Sequence, residues 1–385
     1  MTFKSVILFL HRWIGLFTGT IVFVLGLTGC IYVFEPELKD LFRQELIYAA
    51  SPDERIKSPA DIVSFIEEEL GERDLEIALA TYGDPSRSWK AVQQAENTAA
   101  TSYFGETVIH RSMYVDPYTA ENLGRVNEEF TFFHIIKAIH KSLLFSTRIG
   151  RPLTAWSTVI FLFMLGTGIF LWWPRKWNET GLTRSFRITT DKGSKRTYYD
   201  LHNVLGFYSS LVAVIIGFTG LYWAFPGTVE KSLNMLAGEG YRTPAENVQR
   251  FDRPEPEVSV DLKPFERVYQ KAWERYPDAW SITFILSERV EDPLKAVVRP
   301  DEKVRFKESA LYFDPETGDL ISSEDYRDQS DGAKLAARIY DIHTGSVWGW
   351  PGRLLAFLAS LISTSLPVTG FIVWFSRFGR KSRRF

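Results

Sequence analysis

Four stretches of this chain carry no charged side chain for more than about 20 positions, enough for a helix to cross a hydrocarbon core of roughly 30 Å. They lie between Arg12 and Glu35, Arg151 and Arg175, Asp200 and Glu230, and Arg353 and Arg377. A backbone in lipid has no water to bond, so a spanning segment must satisfy its own amides, and each run predicts a transmembrane helix. Mean hydropathy near zero over 385 residues hides this, because long polar connections dilute the apolar spans.

The runs repeat. His11, Gly15, Gly26, Thr28, Gly29 and Phe34 recur 191 residues on as His202, Gly206, Gly217, Thr219, Gly220 and Phe225. Gly150, Arg151, Thr167, Gly168, Trp172 and Arg175 recur 202 residues on as Gly352, Arg353, Thr369, Gly370, Trp374 and Arg377, and His140 matches His343 at 203. The chain is therefore two tandem halves, about 1–190 and 191–385, each reading helix, polar segment, helix. Equal orientation of the halves implies an axis along the membrane normal.

The expected fold is an α-helical membrane protein with four transmembrane helices at 1–34, 151–174, 201–226 and 352–375. Two small α+β lobes occupy 35–126 and 227–333. Interfacial helical segments follow at 127–150 and 334–351, with a loop at 175–200 and a basic tail at 376–385. In the first lobe a helical pattern at 58–70 precedes strand-like runs at 75–82, 89–94 and 112–115. In the second, 264–276 precedes 281–286, 295–299 and 310–313. Each lobe closes on turn chemistry, Asp116-Pro117-Tyr118-Thr119 and Asp314-Pro315-Glu316-Thr317-Gly318.

Basic residues set the orientation. The short loop carries Arg175, Lys176, Arg184, Arg187, Lys192, Lys195 and Arg196, and the tail Arg377, Arg380, Lys381, Arg383 and Arg384. The positive-inside rule puts both in the cytoplasm and the lobes on the opposite, extracytoplasmic side. A net charge of −2 gives no footing for a nucleic-acid partner, and one cysteine, Cys30, permits neither a disulfide framework nor a Cys-x-x-Cys-His haem attachment. Lys4 and Arg12 before an apolar run, with Leu27-Thr28-Gly29-Cys30, resemble a lipoprotein signal. Recurrence of the pattern inside the chain assigns it to a retained helix instead.

On a helix, His11, Gly15, Gly19, Val22, Gly26 and Gly29 share one face. Two readings stand: a small-residue packing surface, or a groove admitting a flat porphyrin. Of the six histidines, His110 reads as a solvated side chain near an expected strand. The repeat pairs His11 with His202 at one membrane face and His140 with His343 at the other, while His134 has no counterpart. The spans offer neither the extra ligands a bare transition metal wants nor the ionisable chain of a proton relay. Two bis-histidine haems fit the pairs best. Arg12, Arg151 and Arg353 are candidates for haem propionates or simple markers of helix ends. In Tyr199-Asp200-Leu201-His202 and Tyr340-Asp341-Ile342-His343, a carboxylate is a candidate to orient an imidazole.

Leu-His-Arg-Trp-Ile-Gly-Leu, Tyr-Asp-Leu-His-Asn-Val-Leu-Gly, Ile-His-Thr-Gly and Thr-Gly-Ile-Phe-Leu-Trp-Trp-Pro-Arg resemble the PepSY-associated transmembrane proteins, also called iron-regulated membrane proteins. The likeness covers nearly the whole chain and is strongest to the FoxB- and PiuB-type ferric-siderophore reductases. It implies two noncovalent b-type haems on His11, His202, His140 and His343, electrons from a cytoplasmic donor or the quinol pool, and haem-dependent reduction of ferric siderophores in the periplasm. His134, Lys137, Trp348 and Trp350 are candidates for the substrate surface, His134 also for an alternative outer ligand. The first lobe departs from the family turn, with Ala120 where the pattern prefers glycine. A non-enzymatic membrane module binding an envelope protein or peptidase, and a di-haem conduit to another acceptor, are the competing expectations.

Overall fold

The computed structural model describes residues 2–50, 52, 55–71, 75–174, 177–225, 263–286, 292–302 and 304–378. Arg175, Lys176, Arg380, Lys381, Arg383, Arg384 and most of the first third of the expected second lobe (227–262) lie outside them, as do the side chains of Arg184 and Arg377.

Four helical stretches are long and apolar enough to cross a membrane, namely Phe3–Tyr32, Thr147–Trp172, Ser194–Ala224 and Ser346–Ser376. Helix α1 is Phe3–Tyr32, followed by short α2 (Glu35–Phe42) and α3 (Gln44–Ile47), then α4 (Pro59–Leu70), α5 (Tyr103–Glu106) and α6 (Phe132–Ser142). The second spanning helix is α7 (Thr147–Trp172), and α8 (Glu179–Phe186) lies in the connecting loop. The third span joins α9 (Ser194–Asp200) through a π-helical turn at Leu201–Leu205 to α10 (Gly206–Ala224). After α11 (Lys263–Arg275) and α12 (Asp331–Thr344) comes α13 (Gly349–Phe378). In the bundle α1 and α10 each pack against both α7 and α13, so each half's first helix touches both second helices.

Glycines make this packing close. A Cβ on Gly15 would meet Met164 of α7 at 2.8 Å, on Gly19 Pro367 of α13 at 3.1 Å, and on Gly26 Thr364. Gly15, Gly19 and Gly26 therefore form a helix-packing surface against α7 and α13.

The expectation of two separate lobes is corrected. Strands β1 (Ile77–Tyr82), β2 (Trp89–Glu96), β3 (Thr107–Val115), β4 (Asn122–Asn127), β5 (Ser281–Leu286), β6 (Leu294–Arg299), β7 (Ser309–Phe313) and β8 (Leu320–Glu324) form one antiparallel sheet in the order β4-β3-β2-β1-β5-β6-β7-β8. The seam is β1 on β5, with Leu79 opposite Phe284. Each four-stranded half alone would expose β1 or β5 as an unpaired edge, and pairing the two removes that liability. Ile62, Val63 and Ile66 of α4 and Phe265, Val268 and Ala272 of α11 cover one sheet face in a single core with Leu79, Ile282, Phe284 and Leu311. The outer strands β4 and β8 escape sequence reading because their faces are largely exposed and carry no apolar alternation.

Both lobe turns close alike. Ala120 donates its N–H to the Asp116 carbonyl and Gly318 to that of Asp314, each at 2.9 or 2.8 Å, with φ of 62° and 69°. Ala120 thus holds the left-handed conformation that glycine adopts freely, at a cost of about 1–2 kcal/mol.

Lobe and bundle meet at Glu128, which is fully buried. Arg43 donates to both of its carboxylate oxygens at 2.7 and 2.9 Å, and Ser112 Oγ donates at 2.9 Å. Burial opposes the charge, but Arg43, Lys90 and Lys39 hold this carboxyl well below the usual carboxylate range. His134 sits beside it, 3.4 Å from Glu128 Oε2, and stacks edge-on against His110 with ring centres 4.5 Å apart. His110 is accordingly half-buried rather than solvated. Burial, then the Lys39 charge, lowers His134 to about 3, and burial lowers His110 as well.

Two outcomes follow. Ala120→Gly is expected to stabilise the protein by about 0.5–1 kcal/mol, the relieved strain less the flexibility glycine adds to the unfolded chain, read as a higher thermal midpoint. A histidine whose pKa falls on folding binds more protons when unfolded, so stability is full above about 6.5 and falls with pH toward about 3. Thermal midpoints measured across that window should slope less in His134→Gln than in the parent; an unchanged slope rejects His134 as the source.

Candidate functional site

Histidines project from all four places the repeat marks. His11 lies in the third turn of α1, His202 in the π-helical turn before α10, His140 at the end of α6 and His343 at the end of α12. Two glycine contacts fix the last two helices against the bundle. A Cβ on Gly150 would fall 2.0 Å from the Ser142 carbonyl oxygen, and one on Gly352 2.2 Å from that of Gly345. The repeated Gly-Arg thus lets the end of each interfacial helix touch the start of the next spanning helix.

The structure brings the histidines together as the repeat predicts. Ring centres of His11 and His202 are 6.4 Å apart at 85°, and those of His140 and His343 6.3 Å apart at 64°. Among the described residues no cluster of three or more His, Cys, Asp or Glu is placed to hold a metal ion.

Each of these four imidazoles occupies a Thr-Gly seat on a neighbouring helix. His11 Nδ1 bonds Thr167 Oγ1 at 2.8 Å. His140 Nδ1 bonds the Leu25 carbonyl at 3.0 Å and Thr28 Oγ1 at 3.1 Å. His202 Nδ1 bonds the Leu366 carbonyl and Thr369 Oγ1, both at 3.1 Å. His343 Nδ1 bonds the Ile216 carbonyl at 3.0 Å and Thr219 Oγ1 at 3.1 Å. The glycine after each threonine makes room, since a Cβ on Gly168, Gly29, Gly370 or Gly220 would lie 3.1–3.4 Å from the seated ring's Cε1.

These bonds settle the tautomer. A carbonyl only accepts, so Nδ1 of His140, His202 and His343 carries the proton. Thr167 Oγ1 donates its own hydrogen to the Phe163 or Met164 carbonyl at 3.1 Å, so it accepts from His11 Nδ1–H. Each Nε2 keeps its lone pair, and none bonds a protein group among the described residues. The signal was present in the sequence: among its Thr-Gly dipeptides, 28–29 recurs as 219–220 and 167–168 as 369–370 under the same offsets as the repeat.

The Tyr-Asp-x-His carboxylates are not the histidines' partners. Asp200 accepts from Thr189 N–H and Arg196, and Asp341 from the N–H groups of Arg305 and Phe306 and from Ser346 Oγ. They pin flanking loops, as their neighbouring position on the helix requires. Arg353 is buried, and its guanidinium is occupied by the Glu37 carboxylate and the Val33 carbonyl over the Phe34 ring. Arg151 differs: its Nε is buried without a hydrogen-bond partner among the described residues. Arg12 is half-buried at the far end of α1, next to His11. Lys137, Trp348 and Trp350 are exposed at the lobe side, whereas His134 is half-buried in the Glu128 node, where its Nδ1 also meets Thr131 Oγ1 at 2.9 Å.

No curated protein matches the chain. The model of the PepSY-associated TM region matches residues 8–377, which takes in all four spans, the shared sheet and both histidine pairs. With its spans crossing a lipid bilayer, the chain is a multi-pass membrane protein belonging to the PepSY-associated transmembrane family.

Proposed function

We propose that the protein is a di-haem b-type reductase of the bacterial inner membrane that passes electrons to ferric siderophores on the lobe side, the periplasm. The observation that carries this reading is the pair of facing, Nδ1-anchored imidazoles at each membrane face. Two metal–imidazole bonds of about 2 Å, with half a ring on either side, span roughly 6 Å between ring centres, and the pairs stand at 6.4 and 6.3 Å. Bound haem would supply reversible one-electron iron chemistry. His11 and His202 would hold one group and His140 and His343 the other.

The residues' own work is orientation. Nδ1–H donation to a carbonyl or hydroxyl makes each imidazole a stronger donor at Nε2 and keeps the ring from turning. Arg151 Nε, without a partner among the described residues, suits a propionate at the lobe side; Arg353 has its carboxylate already. Two sites on opposite faces would divide a core of roughly 30 Å into short electron steps. Reduction of a siderophore's iron(III) gives iron(II), a softer ion of lower charge that oxygen donors hold less well, so one electron releases it. Basic residues of the short loop, Arg187, Lys192, Lys195 and Arg196, support a cytoplasmic face opposite the lobes, where a cytoplasmic or quinol donor would act.

Purified protein should show a Soret band with two haems per chain. His202→Ala and His343→Ala should each remove one. Protein without the band, or variants keeping both haems, overturns the assignment and favours a non-enzymatic module. Thr167→Val deletes the one Nδ1 acceptor of His11 among the described residues and should weaken retention at that pair by about 10–100-fold, leaving the His140–His343 group in place. Dithionite-reduced protein should be reoxidised by a ferric siderophore in stopped-flow mixing; absence of reoxidation points to another acceptor.

A further inference from the structure

The loop between β6 and β7 reaches back over the bundle to the lobe-side histidines. It is held there by Asp341, which accepts from Arg305 N–H at 3.1 Å and Phe306 N–H at 3.0 Å. The anchor lies two residues before His343, so the loop and that imidazole share one support. The Arg305 guanidinium lies over the Tyr340 ring at 4.9 Å, Tyr340 meets Trp223 at 6.2 Å, and Trp223 meets His343 at 5.4 Å. Arg305 is thus connected to the lobe-side pair through two aromatic rings in contact.

More cations converge on the same place. Lys137 of α6 lies within electrostatic range of Arg305, Lys141 and Lys39; the carboxylates in range are Glu35 for Lys137, Glu96 and Glu106 for Lys141, and Glu35 and Glu308 for Arg305, with Glu308 paired to Arg299 and Glu106 accepting from Thr147 N–H. Glu35 is already paired with Lys39 at 3.0 Å. Lys137, Lys141 and Arg305 form no salt bridge among the described residues, and all three are exposed. They come from the first half (α6) and the second (the β6–β7 loop), so the patch straddles the same boundary as the histidine pair. Unpaired like charges held together repel, and a surface that keeps them has a standing affinity for anions.

We infer that Lys137, Lys141 and Arg305 form the docking site for the acceptor and that the acceptor is an anionic ferric chelate, whose negatively charged oxygens meet these three cations above the lobe-side histidines. The inference rests on the reductase reading for its consequence, because one electron then passes to the chelate's iron(III), giving iron(II) and leaving the lobe-side donor oxidised by one. Docking itself needs no electron.

Equilibrium dialysis with ferric citrate, which is anionic, and with a cationic ferric trihydroxamate measures docking independently of haem, and stopped-flow reoxidation with the same two chelates measures transfer. At about 0.01 M salt, where screening reaches roughly 30 Å, the anionic chelate should be retained more strongly and reoxidise the protein at least about tenfold faster. The advantage should vanish at about 1 M salt. Lys137→Gln with Arg305→Gln should abolish it with the Soret band unchanged, since Asp341 is bonded by the Arg305 backbone rather than its side chain. Equal retention of both chelates, or a preference surviving in the double variant, overturns the docking site. Preferential retention without reoxidation keeps the docking site and overturns the reductase reading; equal reoxidation by both chelates does the reverse.

Discussion

Nδ1 of a histidine bonded into a Thr-Gly seat is the contact on which the membrane architecture depends. A neutral imidazole in an apolar bundle needs a partner for its N–H, since an unmet donor there costs about 1–3 kcal/mol. The threonine hydroxyl, itself bonded back to its own helix, and the adjoining carbonyl supply that partner, while glycine lets the ring approach the backbone. Every seat lies within one half: α1 seats on α7, α6 on α1, the start of α10 on α13, and α12 on α10. Every facing pair crosses between halves. Each repeat therefore positions two imidazoles by itself, and association of the repeats creates the sites.

The extramembrane part follows the same logic in a different interaction. Two equivalent four-stranded units meet edge to edge at β1 and β5, and Leu79 and Phe284 share a core under α4 and α11. One continuous sheet couples the halves on the lobe side, as helix packing couples them in the bundle. The Glu128 node and the Asp341 anchor then tie lobe to bundle, and the Asp341 anchor holds Arg305 over the aromatic rings beside His343.

Departures from repeat symmetry fall at this junction. Arg353 is closed off by Glu37 while its repeat mate Arg151 has an Nε with no hydrogen-bond partner among the described residues. His134 pairs with His110 where the second half has alanine. The two histidine pairs follow the repeat symmetry, whereas the lobe-side junction breaks it.

The sequence by itself determined the spans, the tandem repeat, the pairing of His11 with His202 and of His140 with His343, and six of the eight strands. These are legible because charge exclusion, fixed offsets and apolar alternation are local properties of the chain. Tertiary structure alone decided that the lobes share one sheet, since β1 carries no mark of pairing with β5 rather than with solvent. It also decided that the glycines at 15, 19 and 26 pack helices, that Asp200 and Asp341 anchor loops, and that four Thr-Gly dipeptides hold the histidines. Those contacts join residues more than a hundred positions apart in the seats, and distance along the chain carries no record of which side chain will fill a space left by glycine.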